Sequence, residues 1–216
     1  MSLEFNNNQY LFNILSEKAK KEISSKVFKK NEIVYHQGDE PQHVYEVTNG
    51  HVGLISISHD GKEILLRVFN KGQFFGHRTL LSNETYHATT IALTNTQVKS
   101  ISRRDFEAEI QTNNESLLYI TQVLAKELRR SENKFAELAT TKVEARILQT
   151  LAFLRTRYPN YQWTRKEVGE YCGAKTETVS RILTKAHNEG LISKDGRKIN
   201  IVDLEKLYEF AENLKA

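Results

Sequence analysis

The segment from Trp163 to Ala186 constrains the fold of this chain more than any other stretch. Thr164 stands three residues before Glu167, which is the spacing of a capping box that opens a helix. Gly173 can supply the left-handed residue that ends this first short helix. Apolar residues then recur at helical spacing, namely Val179, Ile182, Leu183 and Ala186. Two short helices joined by a glycine-containing turn predict a helix-turn-helix.

The second helix of this pair has a polar face opposite its apolar one. In this motif, the N-terminal polar residues of the second helix meet base edges in the major groove of DNA. A hairpin from Leu191 to Val202, turning at Asp195-Gly196, is predicted to form a wing beside it. The polar face consists of Lys175, Thr176, Glu177, Ser180, Arg181 and Lys185. The pattern therefore predicts a winged helix-turn-helix that binds double-stranded DNA.

The charge distribution agrees with a DNA-binding C-terminal region. Residues 142–198 contain 12 Lys and Arg against 6 Asp and Glu, although the whole chain has a formal charge of only +4. Such a basic region indicates a polyanion-binding module, but a solvated face would give the same counts. Contacts to phosphates, which give affinity rather than base choice, are assigned to Thr164, Lys175, Thr178, Lys185, Lys194, Arg197 and Lys198.

The N-terminal half follows a strand pattern. Turn signals such as Asn49-Gly50 and Asp60-Gly61, which favour type I′ hairpins, separate short runs rich in β-branched and aromatic residues. The runs are Ile33–Tyr35, Val44–Val47, Val52–Ile57 and Ile64–Phe69. Strands repeated about every ten residues predict a sandwich or barrel. Ahead of them, Leu11 to Ile23 is predicted to form one amphipathic helix.

A long helix is predicted between the two regions, from about Asn114 to Leu138, after a short helix capped by Ser102. Its apolar positions alternate by four and three, which is the heptad spacing that suits pairing with one other helix. The seam consists of Leu117, Thr121, Leu124, Leu128, Ser131, Phe135 and Leu138. The charged residues, Glu127 among them, lie off the seam. The helix could instead pack against its own barrel, and both packings can hold on different faces; we favour dimerisation.

A further helix is predicted to begin at a capping box formed by Thr141 and Glu144, and to stop at Tyr158-Pro159. Residues 138–141 are the expected hinge between domains. The predicted fold class is α+β. The predicted domains are a barrel over residues 1–112, a dimerisation helix and hinge over 113–139, and a DNA-binding domain over 140–216.

This order of elements resembles the CRP/FNR family of transcription regulators over nearly the whole chain. The residues that carry the resemblance are the run from Glu177 to Arg181 (Glu-Thr-Val-Ser-Arg) and the later Gly190-Leu191-Ile192. The resemblance implies a double-stranded β-helix barrel of the cyclic-nucleotide-binding type, a central dimerisation helix and a C-terminal winged helix-turn-helix. It also implies a homodimer on palindromic DNA, and RNA polymerase as a partner if the protein is an activator.

The resemblance also implies which residues read bases. They are Glu177, Ser180 and Arg181, with Thr176 beside them, and the Glu-x-x-Ser-Arg pattern is similar to the FNR branch. Arg181 can form a bidentate bond to guanine, and Glu177 can accept from the amino group of cytosine. The implied half-sites contain a TTGA-like core, with centres about one helical turn, ~10 bp, apart.

The resemblance fails in the segment after the sixth strand, where cyclic-AMP-binding members hold the nucleotide. Those members have a Glu for the ribose and an Arg-Ser pair for the phosphate, whereas this chain has His77 and His87-Ala88. A neutral imidazole lacks the fixed fork of a guanidinium, and alanine has no hydroxyl. We therefore expect an effector other than cyclic AMP, if there is one. Its pocket would consist of Gly76, His77, Arg78, His87, Ala88 and Thr89.

The cysteine and histidine residues also bear on which cofactors the chain could bind. Cys172 is the single cysteine, which excludes an FNR-type iron–sulfur cluster. Haem is a weaker alternative, because a carbon-monoxide-sensing member has His at the His77 position but also a Cys where this chain has Phe75. His77 and His87 lack nearby carboxylates in the sequence and are expected to bond backbone groups rather than a metal.

The rival function is that of a cupin-like ligand- or metal-binding protein, which would need several His and a Glu on neighbouring strands. The candidate histidines lie near turns and share no motif: His36, His43, His51 and His59. No apolar run reaches the length of a membrane span, and the N-terminus has no secretory signal pattern. We expect a cytoplasmic regulator that is not an enzyme.

Overall fold

The computed structural model describes residues 10–195 and 198–214. They belong to two compact units, Met1–Arg129 and Arg130–Ala216. The boundary falls inside the long helix, before the predicted hinge at residues 138–141. Arg197 and the turn glycine Gly196 lie outside the described residues, so their predicted roles stay predictions.

The first unit is built on a barrel of two four-stranded antiparallel sheets. Its strands are β1 (Ser24–Phe28), β2 (Ile33–Tyr35), β3 (His43–Asn49), β4 (Val52–Ile57), β5 (Glu63–Phe69), β6 (Phe74–Phe75), β7 (Thr89–Ala92) and β8 (Thr96–Ser102). One sheet has the order β1-β8-β3-β6 and the other β2-β7-β4-β5. Each of the four runs predicted as a strand forms a strand in the structure, namely β2, β3, β4 and β5.

The turns between the strands differ from the type I′ prediction. A type I′ turn needs positive φ at both central residues. Gly50 has φ of 84° and Gly61 of 76°, whereas the non-glycine residues at positive φ in the described ranges are Asn31 and Asn83. The prediction is therefore wrong at Asn49 and Asp60, where the glycine alone takes the left-handed conformation.

Aromatic side chains fill the interior between the sheets. The rings of Tyr35 and Tyr86 stack with centroids 3.5 Å apart, and those of Tyr45 and Phe75 lie 5.1 Å apart. Phe69 packs its ring 5.1 Å from that of Phe75. Because interiors pack at the density of organic crystals, these rings leave little space for a ligand.

The helices of this unit share one apolar cluster with strands β3, β6 and β8. They are α1 (Leu11–Ile14), α2 (Glu17–Lys21), α3 (His77–Ser82), α4 (Arg103–Thr112) and the part of the long α5 (Asn114–Thr140) up to Arg129. The single helix predicted over Leu11 to Ile23 is wrong, because Ser16 interrupts it. Ser16 caps α2 by accepting from the Ala19 N–H, and its own N–H and hydroxyl donate to Glu109 at 2.8 and 2.5 Å.

Helix α5 has two apolar faces. Ile120 and Val123 are buried in a cluster with Phe106 and Leu11, so one face packs against its own unit. The seam face is largely exposed, with Leu128 61% and Phe135 75% exposed. The two packings considered from the sequence therefore involve different faces, and pairing along the seam stays a prediction. In the described part of the chain no helix, α5 included, is both long and apolar enough to cross a membrane.

The second unit contains α6 (Val143–Arg157), α7 (Arg165–Cys172), α8 (Thr176–Asn188), β9 (Ile192–Asp195), β10 (Lys198–Ile201) and α9 (Leu204–Asn213). The predicted capping box at Thr141 is wrong, since the N-cap residue of α6 is Lys142, whose side chain makes no capping hydrogen bond. Thr141 instead continues α5, its N–H donating to the Glu137 carbonyl at 2.9 Å. The Asp203 carboxylate caps α9 by accepting from the Lys206 N–H.

Candidate nucleic-acid interface and barrel pocket

The helix-turn-helix is formed by α7, a glycine turn and α8. The Thr164 hydroxyl accepts from the Glu167 N–H at 3.2 Å, and the Glu167 carboxylate accepts from the Thr164 N–H at 2.8 Å, so both halves of the capping box are present. Gly173 ends α7 with φ of 70°. A Cβ on Gly169 would stand 2.6 Å from the Ala174 carbonyl oxygen, so this glycine allows α7 to approach the turn closely. The predicted motif is confirmed.

Helix α8 buries one face and exposes the other. Its buried side chains are the predicted ones, Val179, Ile182, Leu183 and Ala186. Glu177 and Arg181 are exposed and Ser180 is half-buried. These three residues are spaced by three and four, so they lie on one side of the first helical turns. The structure thus brings the candidate base-reading residues together, with exposed Thr176 beside them.

Arg181 has an intramolecular partner that the sequence did not indicate. One terminal nitrogen of its guanidinium lies 3.7 Å from the Glu144 carboxylate of α6, and the Arg181 side chain is 71% exposed. An exposed pair of this kind stabilises a protein by only ~0–1 kcal/mol. The guanidinium can therefore leave Glu144 at small cost to meet another acceptor.

The candidate phosphate-binding residues form two groups. Lys175 and Thr178 lie at the N-terminal end of α8, and the side chain of Lys175, the N-cap residue, makes no capping hydrogen bond there. Lys194 and Lys198 lie on the β9–β10 hairpin, in which Lys198 pairs with Asp195 as the predicted wing requires.

Three of the candidates are engaged within the protein. The Lys194 ammonium donates to the Thr184 hydroxyl at 3.2 Å. The Lys185 ammonium lies 5.5 Å from the centre of the Phe210 ring, and the Thr164 hydroxyl donates to Glu167 at 2.8 Å.

The barrel pocket contains a buried carboxylate, Glu127 of α5, whose side chain is only 1% exposed. Arg78 of α3 donates through Nε to Glu127 Oε2 at 2.6 Å, and Arg67 of β5 donates to the other carboxylate oxygen. Gly76, with φ of 87°, is the N-cap of α3 and sets its position; a Cβ there would stand 2.8 Å from the His43 carbonyl oxygen. The carboxylate is thus held by two guanidinium groups.

His77 also faces this carboxylate. Its ring is buried, Nε2 lies 3.6 Å from Glu127 Oε2, and neither ring nitrogen has a hydrogen-bond partner among the described residues. The prediction of backbone partners for His77 is therefore wrong, because α3 turns the ring toward α5. Burial lowers the pKa of His77 despite the opposing effect of Glu127. Burial alone would raise the pKa of Glu127, but His77 and the two arginines outweigh it and lower that pKa to about 2.

The space left beside these groups is small. The cavity has a volume of about 20 Å³ and is lined by Gly76, His77, Arg78 and His87 among others. A single water molecule would nearly fill it. Ala88 and Thr89, expected in the pocket, do not line it: Ala88 is buried in the barrel core, and the Thr89 hydroxyl accepts from the Gln37 N–H.

Sequence reasoning missed Arg67 and Glu127. The available signals were an arginine inside an apolar strand, and an acidic residue that continues the buried helical stripe of Ile120 and Val123. Within residues 10–195 and 198–214, no three His, Cys, Asp or Glu side chains are grouped as metal ligands would be.

Comparison with known proteins matches two family models, a cyclic nucleotide-binding domain over residues 25–113 and a Crp-like helix-turn-helix domain over residues 145–210. The cAMP-activated global transcriptional regulator CRP of Salmonella typhimurium is 31% identical over 173 residues, covering 76% of this chain and 82% of that protein. The transcriptional regulator LdrP of Thermus thermophilus is 29% identical over 190 residues, covering 84% of this chain and 94% of that protein.

Solved structures agree with these matches. A CRP family transcriptional regulator from Thermus thermophilus superimposes with a TM-score of 0.74 at 27% identity, covering 87% of this chain and 96% of that one. The predicted fold class, a cyclic-nucleotide-binding type of barrel with a long helix and a C-terminal helix-turn-helix, is confirmed. The chain belongs to the CRP/FNR family of DNA-binding transcription regulators.

Proposed function

We propose that the protein binds palindromic DNA as a homodimer, with the α8 helices of the two subunits in successive major grooves. The observation that carries this proposal is the division of α8 into two faces. Its apolar face is buried in the domain, while Glu177 and Arg181 project from its first turns into solvent. A recognition helix needs polar side chains at this end, where it enters the groove.

The proposed base contacts follow from the chemistry of these side chains. Arg181 offers a planar fork that fits guanine O6 and N7, and Glu177 accepts from cytosine N4. The exposed first turn of α8 and the lysines of the hairpin supply phosphate contacts, which fix the register of the helix on the duplex. The proposed half-sites have a TTGA-like core.

The proposed dimer uses the exposed seam of α5. Leu117 is 43%, Leu128 61% and Phe135 75% exposed, and their heptad spacing suits a partner helix of the same kind. Two-fold symmetry would then place the α8 helices at a fixed separation, which matches a palindrome.

The proposed effector, if one acts, is not cyclic AMP, although relatives are named as cAMP-activated regulators. Arg67 and Arg78, the cations that line the cavity, already bind the Glu127 carboxylate. A nucleotide phosphate would have to displace this carboxylate and enlarge a cavity of about 20 Å³. The proposal requires no metal, haem or iron–sulfur cofactor. An activator would in addition contact RNA polymerase.

Selection of preferred duplexes from a random oligonucleotide pool tests this proposal. The expected result is enrichment of an inverted repeat with TTGA-like halves, bound by two copies of the chain. Sedimentation of the purified protein, alone and with the selected duplex, measures the number of copies. A monomer that enriches no sequence would contradict the proposal.

A further inference from the structure

Arg146 of α6 joins three carbonyl groups near the predicted hinge. Its Nε donates to the Cys172 carbonyl at 2.8 Å, and one terminal nitrogen donates to the carbonyls of Thr141 at 2.8 Å and Leu138 at 3.4 Å. Carbonyls at the end of a helix have no partner within that helix, so they need outside donors. The fixed fork of a guanidinium satisfies several at once. Arg146 thus links the end of α5 to the end of α7.

Two more contacts join the same elements. The Lys134 ammonium of α5 lies 3.8 Å from the centre of the Tyr171 ring of α7. Leu138 Cδ2 would lie 3.7 Å from a Cβ placed on Gly173, so the last turn of α5 packs beside the helix-turn-helix turn. The end of α5 is therefore linked to α7 by a cation–π contact and the Arg146 hydrogen bonds.

We propose that Arg146 is a positioning residue that sets the half-site separation the dimer accepts. Cys172 and Gly173 lead directly into α8, while Phe135 and Leu138 belong to the α5 seam. By linking the turn between α7 and α8 to the end of α5, Arg146 fixes the position of α8 relative to the last turns of the seam. A rigid link allows the dimer to bind half-sites at one separation, whereas a flexible link allows it to bind them at several. This inference rests on the proposed homodimeric DNA binding.

The test uses the full chain and a series of palindromic duplexes whose half-sites are moved together or apart by single base pairs. Wild-type protein is expected to prefer one spacing. Arg146→Lys keeps the charge but loses the fork, so its affinity for the best spacing should fall roughly tenfold, as for loss of a charged hydrogen bond. Its affinity for the other spacings should stay the same, which flattens the spacing profile.

Arg155→Lys is the matched control. Arg155 also lies on α6, but its guanidinium donates to Tyr161 and Asn200, away from the end of α5. This variant should keep the wild-type profile. Hydrogen exchange provides a readout without DNA. Amides 138–142 should exchange faster in Arg146→Lys than in wild type, and at the wild-type rate in Arg155→Lys.

The outcomes separate this role from the proposed function. A sharp wild-type spacing preference that Arg146→Lys retains would overturn the role of Arg146 alone, as would equal weakening at every spacing. A wild-type protein that ignores spacing would overturn homodimeric recognition and the Arg146 role with it.

Discussion

Replacing Glu127 by Gln tests the electrostatics of the barrel pocket. The substitution keeps the shape of the side chain but leaves the guanidiniums of Arg67 and Arg78 without their anion. Removing one partner of a buried ion pair costs ~3–5 kcal/mol. Because the Arg67 and Arg78 side chains are 22% and 38% exposed, water can solvate them partly, which lowers the expected cost to about 2 kcal/mol.

The lowered pKa of Glu127 reflects the same interaction. Lowering it from 4.5 to about 2 corresponds to roughly 3 kcal/mol of stability at neutral pH, so the expected cost of Glu127→Gln is about 2–3 kcal/mol. Because the folded-state pKa lies below the unfolded value, this stability is present above about pH 4.5 and is lost as the pH falls toward 2. The difference between wild type and Glu127→Gln should therefore shrink in acid.

Urea unfolding of both proteins, at neutral pH and at several acidic pH values, measures this difference. Glu132→Gln is the matched control, since it makes the same change on the same helix at an exposed position and should alter stability by less than ~0.5 kcal/mol. A cost of Glu127→Gln no greater than that of this control, or one that does not decrease in acid, would refute the role of the carboxylate.

Three further predictions concern DNA, the seam and the effector. Arg181→Ala should weaken binding to the selected duplex by ~1–3 kcal/mol and remove the preference at one guanine, measured by competition with single-base variants; equal weakening on random DNA would contradict base reading. Phe135→Glu should weaken dimerisation roughly tenfold or more in sedimentation, because the seam would bury a charge; an unchanged dimer would exclude this seam. Calorimetry with cyclic AMP should detect no micromolar binding, and such binding would contradict the proposed pocket.

The sequence predicted well those features that depend on neighbouring residues. The capping box of Thr164 and Glu167 and the left-handed Gly173 are local signals, and the structure has both. The strand runs were also predictable, because their residue types and turns lie within short segments. These signals were sufficient for the helix-turn-helix, most of the barrel and the exposed face of α8.

The errors arose where distant residues decide the outcome. Ser16 breaks the N-terminal helix because it donates to Glu109, 93 residues away. Glu127 is buried because Arg67 and Arg78 approach it from the barrel, and neither pairing has a signal in the spacing along the chain. Predicting them requires knowing how the barrel and α5 pack.

Helix α5 contributes residues to both compact units, since the boundary between them falls at Arg129 and Arg130. Leu117 and Leu128 of its seam belong to one unit, and Phe135 and Leu138 to the other. If two copies associate along this helix, the free energy of association is linked by mass action to the folding of each unit. Dilution would then destabilise the barrel and the DNA-binding domain together.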